Sequence, residues 1–281
     1  MGNYQFSPTL AAQLKLAVAR MKRGQGAVLL LEGEPGGGKT SFARALAESL
    51  GGRCFYYSGC PDKERDLLYA IDVQGVLERT HGWEAGPAWE AFEATKRGEY
   101  SVLLVDEVDK THPGFDAFLL RLLQEFAFRA PGGTEITADA GKLAVVLTSN
   151  GRRVLRPELR RRCKRVQVPL PTGDRLRAII RQLAAFPVPA GLLELVIRLG
   201  EAIRQANKDE APAPQELAGL TDDLLTLAAE GEDNQTVWRA VASGWLVKSG
   251  EPALVDKVAR FNWAAALQTE CSRPVEESAC A

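Results

Sequence analysis

The chain has 281 residues, 46% hydrophobic and 25% charged, with 35 lysines and arginines against 36 acids. That balance removes any global electrostatic argument for binding nucleic acid or a membrane surface, and no apolar run approaches the roughly 18 residues that would cross a bilayer. The length suits a core of about 150 to 200 residues with a smaller second domain.

The stretch Met1 to Leu10 lacks the basic and apolar regions of a secretory signal, which predicts a cytoplasmic address. Cys54, Cys60, Cys163, Cys271 and Cys280 are odd in number and irregularly spaced, so reduced thiols are expected. Neither His81 nor His112 stands at ligand spacing from a cysteine pair, which argues against a structural zinc site.

In chain order, Ser7 caps a helix that starts at Pro8, and Leu10, Leu14 and Val18 recur at helical spacing until Gly24. Ala27 to Leu31 is an apolar run too short for a helix. It leads through Gly33-Glu34-Pro35-Gly36-Gly37-Gly38-Lys39-Thr40 into a helical stretch from Ser41 to Leu50. Further strands are expected at Cys54 to Ser58, Val102 to Val105 and Leu143 to Thr148, with helical patterns around residues 63 to 79, 86 to 97 and 115 to 127. This alternation predicts an α/β fold, a parallel sheet with helices on both faces. The turn Ala130-Pro131-Gly132-Gly133 predicts a hairpin between a helix and the next strand.

After Val166 to Val168 and Pro169-Leu170-Pro171 the strand signals stop. Residues 173 to 230 read as helices broken at Phe186-Pro187-Val188-Pro189 and at Ala211-Pro212-Ala213-Pro214. The expected organisation is an α/β core over residues 1–171, a small all-helical domain over 172–230, and a helical extension over 231–281 carrying Trp238, Trp245 and Trp263. A disordered polar tail is expected from Glu270.

The glycine loop has P-loop spacing: its backbone N–H groups and the following helix N-terminus, with Ser41 in the first turn, suit the phosphates of ATP. Lys39 would reach the β and γ phosphates, and the Thr40 hydroxyl would ligate Mg2+. The apolar run Ser101 to Val105 ends in Asp106 and Glu107, which places two carboxylates at the carboxyl edge of the sheet beside the phosphates. Asp106 suits magnesium, and Glu107 suits a base that takes a proton from the attacking water. Asn150 follows Thr148-Ser149 at the end of another strand, where its amide can hold that water.

From Arg152 to Arg165 the chain carries Arg152, Arg153, Arg156, Arg160, Arg161, Arg162, Lys164 and Arg165, a density that the fold of a monomer does not require. One candidate partner is the γ phosphate bound to a neighbouring subunit, where an arginine in trans is worth about 10³ to 10⁵ in rate. A nucleic acid backbone is the other.

Together these segments resemble the AAA+ superfamily, and in wording its MoxR-type, helix-2-insert branch. The matching phrases are LEGEPGGGKT, GPAWEAFEATKRGEYSVLLVDEVDKTHPGFDAFLLRLLQEFAF, VVLTSN and RPELRRRC followed by VPLP, across residues 25 to 185. The resemblance implies a P-loop AAA+ core with a small helical lid, a Walker A loop at Gly33 to Thr40, a Walker B strand with Asp106 and Glu107, and a sensor 1 at Asn150. It also implies an arginine finger at Arg162 with Arg161 as its neighbour, an insert within Tyr69 to Gly86, and a hairpin at Arg129 to Asp139. A sensor 2 cation is missing where Gln215 stands, unless Lys208 substitutes; an amide there binds phosphate without supplying charge.

The resemblance further implies a homo-oligomeric ring, a hexamer in this branch, that hydrolyses ATP to remodel a protein client, with a von Willebrand factor A domain as the expected kind of partner. The alternatives are a nucleic-acid motor or loader, supported only by the basic segment and the hairpin, and an ATP-dependent assembly switch. Retention of both Asp106 and Glu107 speaks against the switch.

Overall fold

The computed structural model describes residues 4–78, 82–207, 211–232, 234–247 and 258. The chain divides into two compact units, Met1–Leu170 and Pro171–Ala281.

In the first unit five strands form one parallel sheet: β1 (Ala27–Glu32), β2 (Arg53–Ser58), β5 (Ser101–Asp106), β8 (Leu143–Ser149) and β9 (Lys164–Gln167), in the order β2-β5-β8-β1-β9. Both faces of the sheet are covered, which is why β5 and β8 read as unbroken apolar runs rather than alternating ones. Leu29, Leu31, Leu104 and Val146 point to the face under α1 (Pro8–Lys22) and α2 (Lys39–Leu50). Leu30, Leu103, Val105 and Leu147 point to the other face, under α4 (Pro87–Lys96), α5 (Pro113–Glu125) and α6 (Pro157–Arg162). Four of these helices begin on a proline, whose fixed φ and missing N–H suit a first helical position.

The expected helix over residues 63 to 79 is not one element. It is a 3-10 turn at Glu64–Leu67, a short strand β3 (Tyr69–Ile71) and helix α3 (Val73–Glu78), with β3 paired antiparallel to β4 (Trp83–Ala85). Tyr69 meets Trp83 edge-on at 5.3 Å between ring centroids, a cross-strand contact that overrides the local helical pattern. The predicted hairpin is present as β6 (Ala127–Arg129) and β7 (Glu135–Thr137), paired antiparallel.

The second unit holds helices α7 (Gly173–Leu183), α8 (Ala190–Ala206), α9 (Pro214–Ala229) and α10 (Gln235–Leu246). Expected as part of an extension beyond residue 230, α10 instead packs Trp238, Ala242 and Leu246 into the same core as Leu193, Leu217 and Leu220. Gly219 lets it approach: a Cβ there would fall 2.5 Å from the Trp245 ring, whose Nε1 donates to Asp223 at 2.7 Å. His81, Lys208, Trp263, Cys271, Cys280 and the tail from Glu270 lie outside the described residues. Among the described residues no helix is long and apolar enough to cross a membrane.

Candidate functional site

Gly33, Glu34, Pro35, Gly36, Gly37 and Gly38 form the loop that leaves β1 and enters α2. Two contacts dictate its glycines. A Cβ at Gly33 would meet the Val168 carbonyl at 2.2 Å, and Gly38 has φ +95° with the Tyr4 hydroxyl 1.7 Å from where its Cβ would stand. Tyr4 donates to the Gly38 carbonyl at 3.1 Å, and Phe6 packs edge-on against Phe42 of α2.

No side chain caps α2, so the N–H groups of its first turn, including Thr40 and Ser41, are left for an anion. Lys39 is 6% exposed and folds back over the loop, its Nζ donating to the Gly33 and Glu34 carbonyls at 2.7 and 2.9 Å. Burial lowers the pKa of its ammonium, opposed by Asp106, Asp109, Glu107 and Glu34. The charge of Lys39 is thus held among acids, at the mouth of the loop.

Asp106, at the end of β5, accepts from the Thr40 hydroxyl at 3.0 Å and, on its other oxygen, from the Thr148 hydroxyl. Thr148 in turn accepts from the Glu107 backbone N–H at 2.8 Å. Glu107 sits in the left-handed region at φ +54°, a conformation that turns the chain sharply at the strand end and that such a residue keeps only where its surroundings over-determine it. Its carboxylate accepts from the Asn150 amide at 2.9 Å and forms an ion pair with Lys110. Asp109, 5% exposed, accepts the backbone N–H groups of Asn150 at 3.1 Å and Arg152 at 2.8 Å, which fixes the loop carrying Asn150.

Lys39, Thr40, Asp106, Glu107 and Asn150 are therefore gathered at one sheet edge. Thr40 and Asp106 are hard oxygen donors 3.0 Å apart, a pair suited to magnesium, and an uncapped helix start beside a buried lysine suits a polyphosphate. The residues present fit both groups.

Arg162 stands elsewhere. With Gln13, Arg20, Gly26 and Phe126 it lines a cavity of about 340 Å³ at the start of β1, the end of the strand opposite the glycine loop. Arg161 is exposed beside it on α6, and neither arginine has an ion pair among the described residues. The basic segment is not all spare charge, contrary to expectation. Arg153 pairs with Asp116, and both Arg160 and Arg165 pair with Glu32.

Three contributors lie outside the sequence-based site: Thr148 as the bridge between Asp106 and Glu107, Asp109 as the anchor of Asn150, and Lys110 on Glu107. Their proximity in sequence to Asp106 and Asn150 is the only signal that could have marked them.

Residues 28–163 match the family described as AAA domain (dynein-related subfamily). The chain is 33% identical over 165 residues to chaperone protein ClpB 2 of Parasynechococcus marenigrum, a stretch covering 53% of this chain and 17% of that protein. It is 28% identical over 160 residues to the replication factor C large subunit of Archaeoglobus fulgidus, covering 56% of this chain and 29% of that one. It thus spans 17% and 29% of the length of these two relatives. Among solved structures, NtrX from Brucella abortus in complex with ADP aligns with TM-score 0.56 at 15% identity, over 92% of this chain and 60% of that one. A RuvB variant from Thermotoga maritima aligns with TM-score 0.54 at 19% identity, over 84% and 68%. These two likenesses concern the fold.

Proposed function

We propose that this chain, which carries an AAA+ ATPase domain over residues 28–163, hydrolyses ATP at sites shared between neighbouring subunits of a ring and uses the turnover to remodel a protein client. The observation that carries the reading is the contact of Asn150 with Glu107 at 2.9 Å, on the sheet edge where Thr40 meets Asp106 at 3.0 Å.

The loop N–H groups receive the phosphates, and Lys39 exchanges its two carbonyl partners for β and γ phosphate oxygens. Thr40 and Asp106 would hold magnesium, which when bound neutralises phosphate charge. Glu107 takes a proton from the attacking water, and Asn150 holds that water in line. Arg162, at the far end of β1 from its own loop, suits the site of a neighbour, where it stabilises charge on the transferring phosphoryl group.

The MoxR-type wording of the sequence makes a hexamer, and a partner with a von Willebrand factor A domain, the expected assembly. The pairing of Arg153, Arg160 and Arg165 within the chain leaves less free positive charge for a nucleic acid than the sequence suggests. The test is steady-state ATP hydrolysis against protein concentration, with the mass of the species measured at each dilution. Activity per subunit should rise and saturate as subunits assemble; a monomer with full specific activity would sink the shared site.

A further inference from the structure

The carboxylate of Glu107 has both oxygens engaged within its own chain. Asn150 donates to one at 2.9 Å, and the Lys110 ammonium pairs with the other. Lys110 ends the 3-10 turn Val108–Lys110, and that turn is pinned from several sides. Asp109 accepts two N–H groups from the loop after β8, and Arg153 donates to the Val108 carbonyl at 3.1 Å and to the Thr111 carbonyl at 3.0 Å. The Lys110 backbone N–H donates to the Glu107 carbonyl at 2.9 Å. The lysine's backbone is therefore fixed relative to Glu107, while its side chain is 33% exposed, so solvent can take over its contact with the carboxylate.

We infer that Lys110 is a positioning residue that latches Glu107 in a resting state, and that the latch opens for turnover. The inference rests on Glu107 being the base. In that step a water O–H bond breaks and its proton goes to a Glu107 oxygen. The water oxygen bonds to the γ phosphorus, and the bond from that phosphorus to the β–γ bridging oxygen breaks, so that ADP leaves with the bridging oxygen. A water giving its proton to Glu107 needs a free approach to one carboxylate oxygen. Asn150 has its own part in holding the water, so the Lys110 contact is the one that yields. The amide of Asn150 keeps Glu107 oriented when Lys110 is gone, so removing the lysine frees the base without misplacing it.

The latch is weak, because a partly exposed ion pair is worth little against water and salt. Lys110→Met should raise kcat for ATP about two- to five-fold with KM for ATP unchanged, and Lys110→Arg, which keeps the contact, should hold the wild-type rate. A kcat that is unchanged or lowered in folded Lys110→Met overturns the latch, as does a faster Lys110→Arg. Should Lys110→Met not fold, Lys110→Ala, which also removes the donor, carries the same expectation. Glu107→Gln separates the two ideas. If it leaves hydrolysis intact, Glu107 is not the base and the underlying reading fails. If it abolishes hydrolysis, then adding Lys110→Met to it should restore nothing, and a gain there would overturn a latch acting through Glu107.

Discussion

Arg153 and Asp116 form a two-point pair in which the guanidinium donates at 2.6 and 2.9 Å to a carboxylate with no exposed surface. Asp116 also accepts the Arg156 backbone N–H at 2.8 Å, and Arg153 reaches on to the carbonyls of Val108 and Thr111. The pair thus ties α5 to the turn after Glu107 and to the loop after Asn150. Removing one member of a buried pair leaves the other charge uncompensated, so Asp116→Ala should cost about 3–5 kcal/mol in denaturant unfolding of the folded chain. A loss below about 1 kcal/mol would mean that the pair does not hold these segments.

Thr148 gives a sharper test of site geometry, because its one hydroxyl serves two partners. Thr148→Val keeps the shape but leaves the Glu107 N–H without its acceptor and Asp106 with one donor fewer. An unsatisfied group of this kind costs about 1–3 kcal/mol, so kcat should fall about ten-fold and the magnesium requirement should rise, with Thr148→Ser close to wild type. Equal rates in the valine and serine variants, read over a magnesium titration, would remove Thr148 from the site.

Lys39 and Glu107 separate binding from turnover. Lys39→Ala should abolish binding of a fluorescent ATP analogue, since Lys39 is the cation whose ammonium folds over the loop carbonyls of Gly33 and Glu34. Glu107→Gln should bind it normally while turnover falls by about 10² to 10⁴, the usual worth of a positioned base. Normal affinity in Lys39→Ala would undo the P-loop assignment.

The parts of this architecture that were legible in sequence are those written locally. Apolar runs such as Ser101 to Val105 and Leu143 to Thr148 declare buried parallel strands, and the spacing from Gly33 to Thr40 declares a phosphate loop, because each pattern is set by neighbours along the chain. Residues 63 to 79 misled because the strand Tyr69–Ile71 is made by pairing with Trp83–Ala85, a partner that local periodicity does not see. The basic segment misled for a related reason. Asp116 and Glu32, which neutralise Arg153, Arg160 and Arg165, are remote in sequence, so the charges look free until the fold brings their partners in.

Arg162 bears on the assembly itself. It lines a cavity at the start of β1, whereas the glycine loop follows the end of that strand, so a finger role for it requires a second subunit. Arg162→Ala should bind ATP with unchanged affinity and hydrolyse it about 10³-fold more slowly. Lys39→Ala should be inactive for the different reason that it binds no nucleotide, yet it still carries Arg162. Mixing the two inactive variants should then recover activity, because a Lys39→Ala subunit can complete the intact loop of an Arg162→Ala neighbour. With random mixing of equal amounts in a closed ring, about one site in four is of this competent kind, which sets the scale of the recovery. Co-assembly of the two variants without any recovered hydrolysis would take Arg162 out of the site and leave the exposed Arg161 as the next residue to test.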